Sequence, residues 1–139
     1  MEFDSLLYSF NVVGDINGDG YLDFGGWQYP SIRFDLHFGG PMLDDSADFT
    51  FPGINSECVR ACDFNADGIL ELALGTDLNG GPVHIYRIDS LRDTIPEYIL
   101  ADTAYEYGQN LAVGDFNGDT FADLAVSAFR NRDLSLIHI

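Results

Sequence analysis

Positive charge is scarce in this chain. Six basic residues stand against 23 acidic ones, for a formal net charge of −17 over 139 residues. Such a balance excludes nucleic acids and anionic membrane surfaces as partners, because both would repel it. It also makes the folded chain repel itself unless cations neutralise part of the charge, which points to metal. Long apolar runs are absent too. No segment approaches the roughly 18 residues of a membrane span, and no basic stretch followed by an apolar run marks a leader peptide. Cysteine is limited to Cys58 and Cys62. On a strand these two would stand about 13 Å apart, too far for a disulfide. With no histidine or second cysteine pair nearby they make no zinc site, and both are expected to be buried small apolar residues. No serine, histidine and aspartate stand in a nucleophile motif, and His37 and His84 lie singly in strand-like segments, so the chain is expected not to be an enzyme. A hydrophobic share of 46% leaves ample material for a packed core.

Three segments align on their acids: Val13-Gly14-Asp15-Ile16-Asn17-Gly18-Asp19-Gly20-Tyr21-Leu22-Asp23, Ala61-Cys62-Asp63-Phe64-Asn65-Ala66-Asp67-Gly68-Ile69-Leu70-Glu71 and Val113-Gly114-Asp115-Phe116-Asn117-Gly118-Asp119-Thr120-Phe121-Ala122-Asp123. Their first aspartates, at 15, 63 and 115, are 48 and then 52 residues apart. A period near 50 residues signals a propeller or another repeat array. Between the loops the chain is strand-like. Ser31 to Phe38 alternates, with Ile32, Phe34, Leu36 and Phe38 on one face, as a half-buried strand would. Strands are also expected at Glu71–Leu74, Val83–Ile88 and Tyr98–Leu100, with a turn over 77–82, and no amphipathic helix is evident. The fold class is therefore all-β: a partial β-propeller of about two and a half four-stranded blades, with a metal loop between the first two strands of each. The expected units are residues 1–53, 54–104 and the partial blade 105–133. Propellers close with about four to eight blades, so the chain is expected to be a piece of a longer one, with unpaired strand edges prone to aggregation. Residues 134–139 fit no strand of the repeat. They match the translation of a transposon adaptor used in sequencing libraries, and are expected to be a non-native tail.

Oxygen donors recur at positions 1, 3, 5 and 9 of each loop: Asp15, Asn17, Asp19 and Asp23; Asp63, Asn65, Asp67 and Glu71; Asp115, Asn117, Asp119 and Asp123. Position 7 (Tyr21, Ile69, Phe121) would add a backbone carbonyl. Calcium takes about six to eight oxygens in tolerant geometry, magnesium demands a stricter octahedron, and no soft or imidazole ligand is present for zinc or copper. The expected cofactor is Ca2+, up to three ions in a structural role, which would bring the formal charge from −17 to −11. An EF-hand loop needs an acid at position 12 and flanking helices; position 12 here is Gly26, Leu74 or Val126, and the flanks are strand-like. The alternative is a bare Asx turn, since Asp, Asn and Gly favour turns without metal. Position 6 calls for a left-handed backbone, which suits Gly20 and Gly68 but strains Thr120. Glu71 is a methylene longer than its counterparts, and Ala66 replaces a glycine. Loop one is expected to bind tightest and loop three weakest.

The Val-Gly-Asp-x-Asn-Gly-Asp runs at 13–19 and 113–119, each followed by an acid and an apolar strand, resemble the FG-GAP repeat of integrin α-subunit propellers and their bacterial relatives. Tyr107-Gly108 is the one trace of the motif that gives the repeat its name. The resemblance implies calcium at the positions above, in loops joining the first two strands of each blade. It also implies a place outside the cell, as a surface or secreted module for adhesion to protein or glycan, beside the remaining blades of its parent. The alternative function is an accessory or catalytic propeller of a secreted polysaccharide hydrolase or lyase. Asp44, Asp45 and Asp48 are read as an acidic connection. Phe24, Trp27 and Tyr29 are read as packing residues rather than a sugar platform.

Overall fold

The structure is a computed structural model and describes residues 6–7, 9–75, 81–89, 93–101, 107–128 and 133–137. No helix occurs among them, and every strand pairing is antiparallel. The first sheet contains β1 (Leu6–Leu7), β2 (Asn11–Gly14), β3 (Asp23–Tyr29), β4 (Arg33–His37) and β5 (Phe49–Pro52). Here β1 and β2 both pair with β3, at its two ends, as the halves of one interrupted outer strand, and β4 and β5 follow. The second sheet is the simple meander β6 (Val59–Cys62), β7 (Glu71–Leu74), β8 (Val83–Arg87) and β9 (Tyr98–Leu100). The third runs β10 (Tyr107–Gly114), β11 (Asp123–Ala128) and β12 (Asp133–Ile137).

The sheets stack face to face through two apolar layers, and strand alternation decides which residue enters which. Leu72, Leu74 and Tyr86 of the second sheet meet Phe34, Leu36, Phe49 and Phe51 of the first. Their alternates Ala73, Val83 and Ile85 meet Tyr107, Leu111, Leu124 and Val126 of the third. The central strand β7 of the second sheet is therefore buried on both faces. The residue at position 2 of each loop belongs to the same scheme. Ile16 is buried in the first layer and Phe64 in the second, while Phe116 is 51% exposed.

Several expectations need correction. Only Arg33–His37 of the segment 31–38 is strand, and Ile32 is 50% exposed in the preceding turn at φ +30°. The strand is buried on both faces, not one. Asp35 is covered and accepts from Arg33 Nε (3.0 Å) and Thr50 Oγ1 (2.8 Å), and His37 stacks on Phe24 with ring centroids 5.2 Å apart. The chain after residue 133 does supply a strand, since β12 pairs with β11 from Leu124↔Ile137 to Ala128↔Asp133. The open backbone edge of β11 takes up an extended segment whatever its place in the repeat pattern. Of the cysteines, Cys58 is buried and accepts from the Leu111 amide at 3.2 Å, but Cys62 is only half-buried; both are free thiols. The expected turn at 77–80 and residues 138–139 of the tail lie outside the described residues.

Candidate metal loops

Loops 15–23, 63–71 and 115–123 connect β2 to β3, β6 to β7 and β10 to β11. Each is a hairpin connection whose acids hold its own backbone in one repeated pattern. The position 1 carboxylate takes the amides of positions 5 and 6 at 2.8–3.1 Å: those of Asp19 and Gly20 on Asp15, of Asp67 and Gly68 on Asp63, and of Asp119 and Thr120 on Asp115, which also takes the Gly118 amide at 2.7 Å. The position 3 side-chain oxygens of Asn17, Asn65 and Asn117 accept from the amide two residues on, at 2.8–3.0 Å. Asp19, Asp67 and Asp119 at position 5 do the same for the position 7 amides of Tyr21, Ile69 and Phe121, each at 2.9 Å. These are nested Asx turns, the conformation that short acids and amides favour. Positions 4 and 6 are left-handed throughout: Gly18 and Gly20, Ala66 and Gly68, Gly118 and Thr120 all have φ between +58° and +91°.

Position 9 differs in kind. Asp23, Glu71 and Asp123 begin the second strand of each hairpin and are fully buried. Each accepts from the position 2 amide, that of Ile16 at 2.7 Å, Phe64 at 2.9 Å and Phe116 at 2.9 Å, and so ties the start of the loop to its end. Asp23 also takes the Gly39 amide at 2.7 Å. A Cβ at Gly39 would collide with the Leu22 carbonyl, so glycine is what lets that amide approach. Burial pushes the Asp23 and Glu71 carboxyls above their usual range, although backbone donors oppose it. Asp67 is held below its ordinary value, first by the Ile69 amide and then by Arg87.

Loop two departs from its siblings. In loops one and three the position 3 amide group donates to position 5, Asn17 Nδ2 to Asp19 Oδ2 at 3.1 Å and Asn117 Nδ2 to Asp119 Oδ2 at 3.0 Å. In loop two Asn65 Nδ2 turns to Glu71 Oε1 at 3.3 Å, and Arg87 Nη1 from β8 takes Asp67 Oδ2 at 2.6 Å. Among the described residues this loop also gathers three acids, with one oxygen each of Asp63, Asp67 and Glu71 within 4.8 Å of one another. The extra methylene of Glu71, noted in the sequence as a departure, is what reaches into the cluster. All donors are carboxylate or amide oxygens, a set suited to a hard cation such as calcium. A carboxylate oxygen that accepts one N–H keeps further acceptor capacity.

Sequence reasoning assigned the loop acids but missed Arg87 and the position 2 amides. The recurring apolar residue at position 2 (Ile16, Phe64, Phe116) was the available signal for the latter. Elsewhere, Phe24 and Trp27 fall three apart on a regularly paired strand and so on opposite faces, which leaves no common platform with the exposed Tyr29. Asp44 accepts from Ser46 N (2.8 Å) and Asp48 from Phe38 N (2.7 Å), so this acidic connection caps backbone. His37 Nδ1 lies 3.1 Å from the Ser46 carbonyl, and burial lowers the pKa of half-buried His84. A cleft of about 730 Å3 opens between loops one and two, with Asp15, Asn17 and Asp89 beside apolar Phe38, Phe49 and Ile88.

Stacked antiparallel sheets joined in series, each opening on an acidic hairpin loop, define a repeat protein of the blade type. Residues 41–126 match the FG-GAP-like repeat, and the chain belongs to that family. The matched stretch contains loop two and all of loop three, while loop one precedes it. No curated protein matches the chain. FG-GAP repeats are typically non-catalytic structural modules.

Thr120 offers a direct test of loop strain. It sits at φ +78°, where a β-branched residue is disfavoured by about 1–3 kcal/mol and glycine is not. Thr120→Gly is expected to stabilise the chain by about 1 kcal/mol in chemical denaturation, after the added freedom of glycine in the unfolded chain is deducted. A loss of stability would show that the loop does not hold this backbone.

Proposed function

We propose that this chain is a calcium-binding β-propeller module that works outside the cell, with calcium in a structural role and protein or glycan as its ligand. The observation that carries the reading is the repetition of one oxygen network in all three hairpins. Bare turns need no such concentration of charge: nine of 23 acids fall in three nine-residue loops of a chain already at −17. Divalent ions offset that repulsion and pin each hairpin. Extracellular calcium modules bind at about 10⁻⁴–10⁻³ M, a range that cytosolic calcium would leave empty. Further blades are partners in this reading, with Phe116 packing against the next sheet as Ile16 and Phe64 do here.

Calorimetric titration of the full chain is expected to show up to three calcium ions. Asp15→Asn, Asp63→Asn and Asp115→Asn should each remove one, with loop one tightest and loop three weakest. No uptake, or uptake indifferent to all three substitutions, would overturn the reading.

A further inference from the structure

We propose that Arg87 is a built-in cation for loop two. It satisfies Asp67 when metal is absent, must give way when a divalent ion enters, and so sets the affinity of this loop below what its acids alone would confer. The inference rests on the calcium reading of the loops.

Three observations carry it. Arg87 is the cross-strand partner of Glu71, so β8 delivers its side chain beside the position 9 acid by register, not by chance approach. Its Nη1 holds Asp67 Oδ2 at 2.6 Å, and its Nε is 3.5 Å from Asp89 Oδ2, which fixes the guanidinium between two acids. The Oδ2 it holds is the oxygen that the position 3 amide group takes in loops one and three, whereas Asn65 also donates to Glu71 Oε1 at 3.3 Å. Loop two thus carries a cation on its position 5 acid. The first sheet has no counterpart. There β3 and β4 pair only as far as Phe24↔His37, and the residue after β4 is the apolar Phe38, whereas Arg87 is paired with Glu71. A guanidinium and a calcium ion compete for the same carboxylate, and with the guanidinium side chain partly exposed the competition is modest in size.

The test compares the full chain with Arg87→Met, which keeps the apolar stem, by calcium calorimetry and by melts in chelator. The variant is expected to bind one ion about tenfold more tightly, a gain abolished by adding Asp63→Asn, with the other ions unchanged. In chelator it should melt about 2–5 °C lower, because the metal-free loop has lost its cation. Should the methionine variant fail to fold, Arg87→Gln removes the charge while keeping a donor for Asp67, and the same gain in affinity is expected. An unchanged or weakened loop two, while loops one and three bind as in the parent, would overturn the proposal and leave the calcium reading standing. Absence of calcium from every loop in parent and variant alike would overturn both.

Discussion

Excess calcium is expected to raise the melting temperature by on the order of 10–30 °C over the chelated protein, and magnesium by far less. At about 100 times its dissociation constant, one ion that binds only the folded chain adds about 2.7 kcal/mol. Three loops acting on one cooperative unit would add about 8 kcal/mol, and each kilocalorie is worth about 4 °C at this size. Strain at Thr120 and competition from Arg87 place the result below that ceiling. The pH dependence supplies an internal check. Burial holds Asp23 and Glu71 above their ordinary values of 3.8 and 4.5, so folding favours their protonated forms. Their contribution to stability is present below those ordinary values and is lost as pH rises through the raised ones. The chelated chain should therefore melt higher as pH falls from neutrality toward the raised values. Asp67, held low, loses its contribution only below its ordinary 3.8 and does not oppose this. With calcium bound the trend should reverse, because protons compete with the ion for the same carboxylates. Equal melting temperatures in calcium and chelator, with a folded circular dichroism spectrum in both, would mean that the loops are bare turns.

Phe51→Ala is expected to cost about 3–5 kcal/mol, lowering the melting temperature by about 10–20 °C. The Phe51 side chain is fully buried at the seam between the first and second sheets. It packs on Tyr86 of the neighbouring sheet with ring centroids 4.5 Å apart and on Phe49 of its own strand at 6.1 Å. Truncation leaves a void that two hydrogen-bonded sheets cannot collapse to fill, since their backbones are held by their own ladders. Phe51 is not among the residues of the metal loops, so the calcium-induced shift should survive and add to the loss. A cost below about 1 kcal/mol in denaturant titration would show that the two sheets do not share a core.

The parts of this protein legible in the sequence are those governed by short-range chemistry. Alternating Asp, Asn and Gly at fixed spacing dictate nested turns, because each side chain bonds an amide a few residues on. The strands Glu71–Leu74 and Tyr98–Leu100 also emerged from local pattern alone, with their ends as the structure has them. So did the left-handed backbone at Thr120, which follows from the phase of the loop. Other features depended on what lies across a sheet or between sheets. Ile32 fits the alternation of its segment, yet the turn that enters β4 turns it outward. Asp35 and His37 read as a solvent face and are buried, because that face finds partners in Arg33, Thr50, Phe24 and the 44–48 connection. The position 9 acids read as oxygen donors with no sign of their burial, which follows from serving the position 2 amide of each loop from within the sheet.

By itself the sequence determined three repeats in phase, each a hairpin with an oxygen-rich loop, in an all-β chain whose charge calls for cations. Residues a few positions apart must meet in any such turn, so no knowledge of the rest of the chain was needed. Only the tertiary structure decided which face of each strand enters which layer, that β12 joins β11, and that Arg87 lies on loop two. Those contacts join residues brought together by strand register and sheet stacking, such as Asp67 and Arg87 across 20 positions, and a pattern with a period of two or of 50 residues carries no record of them.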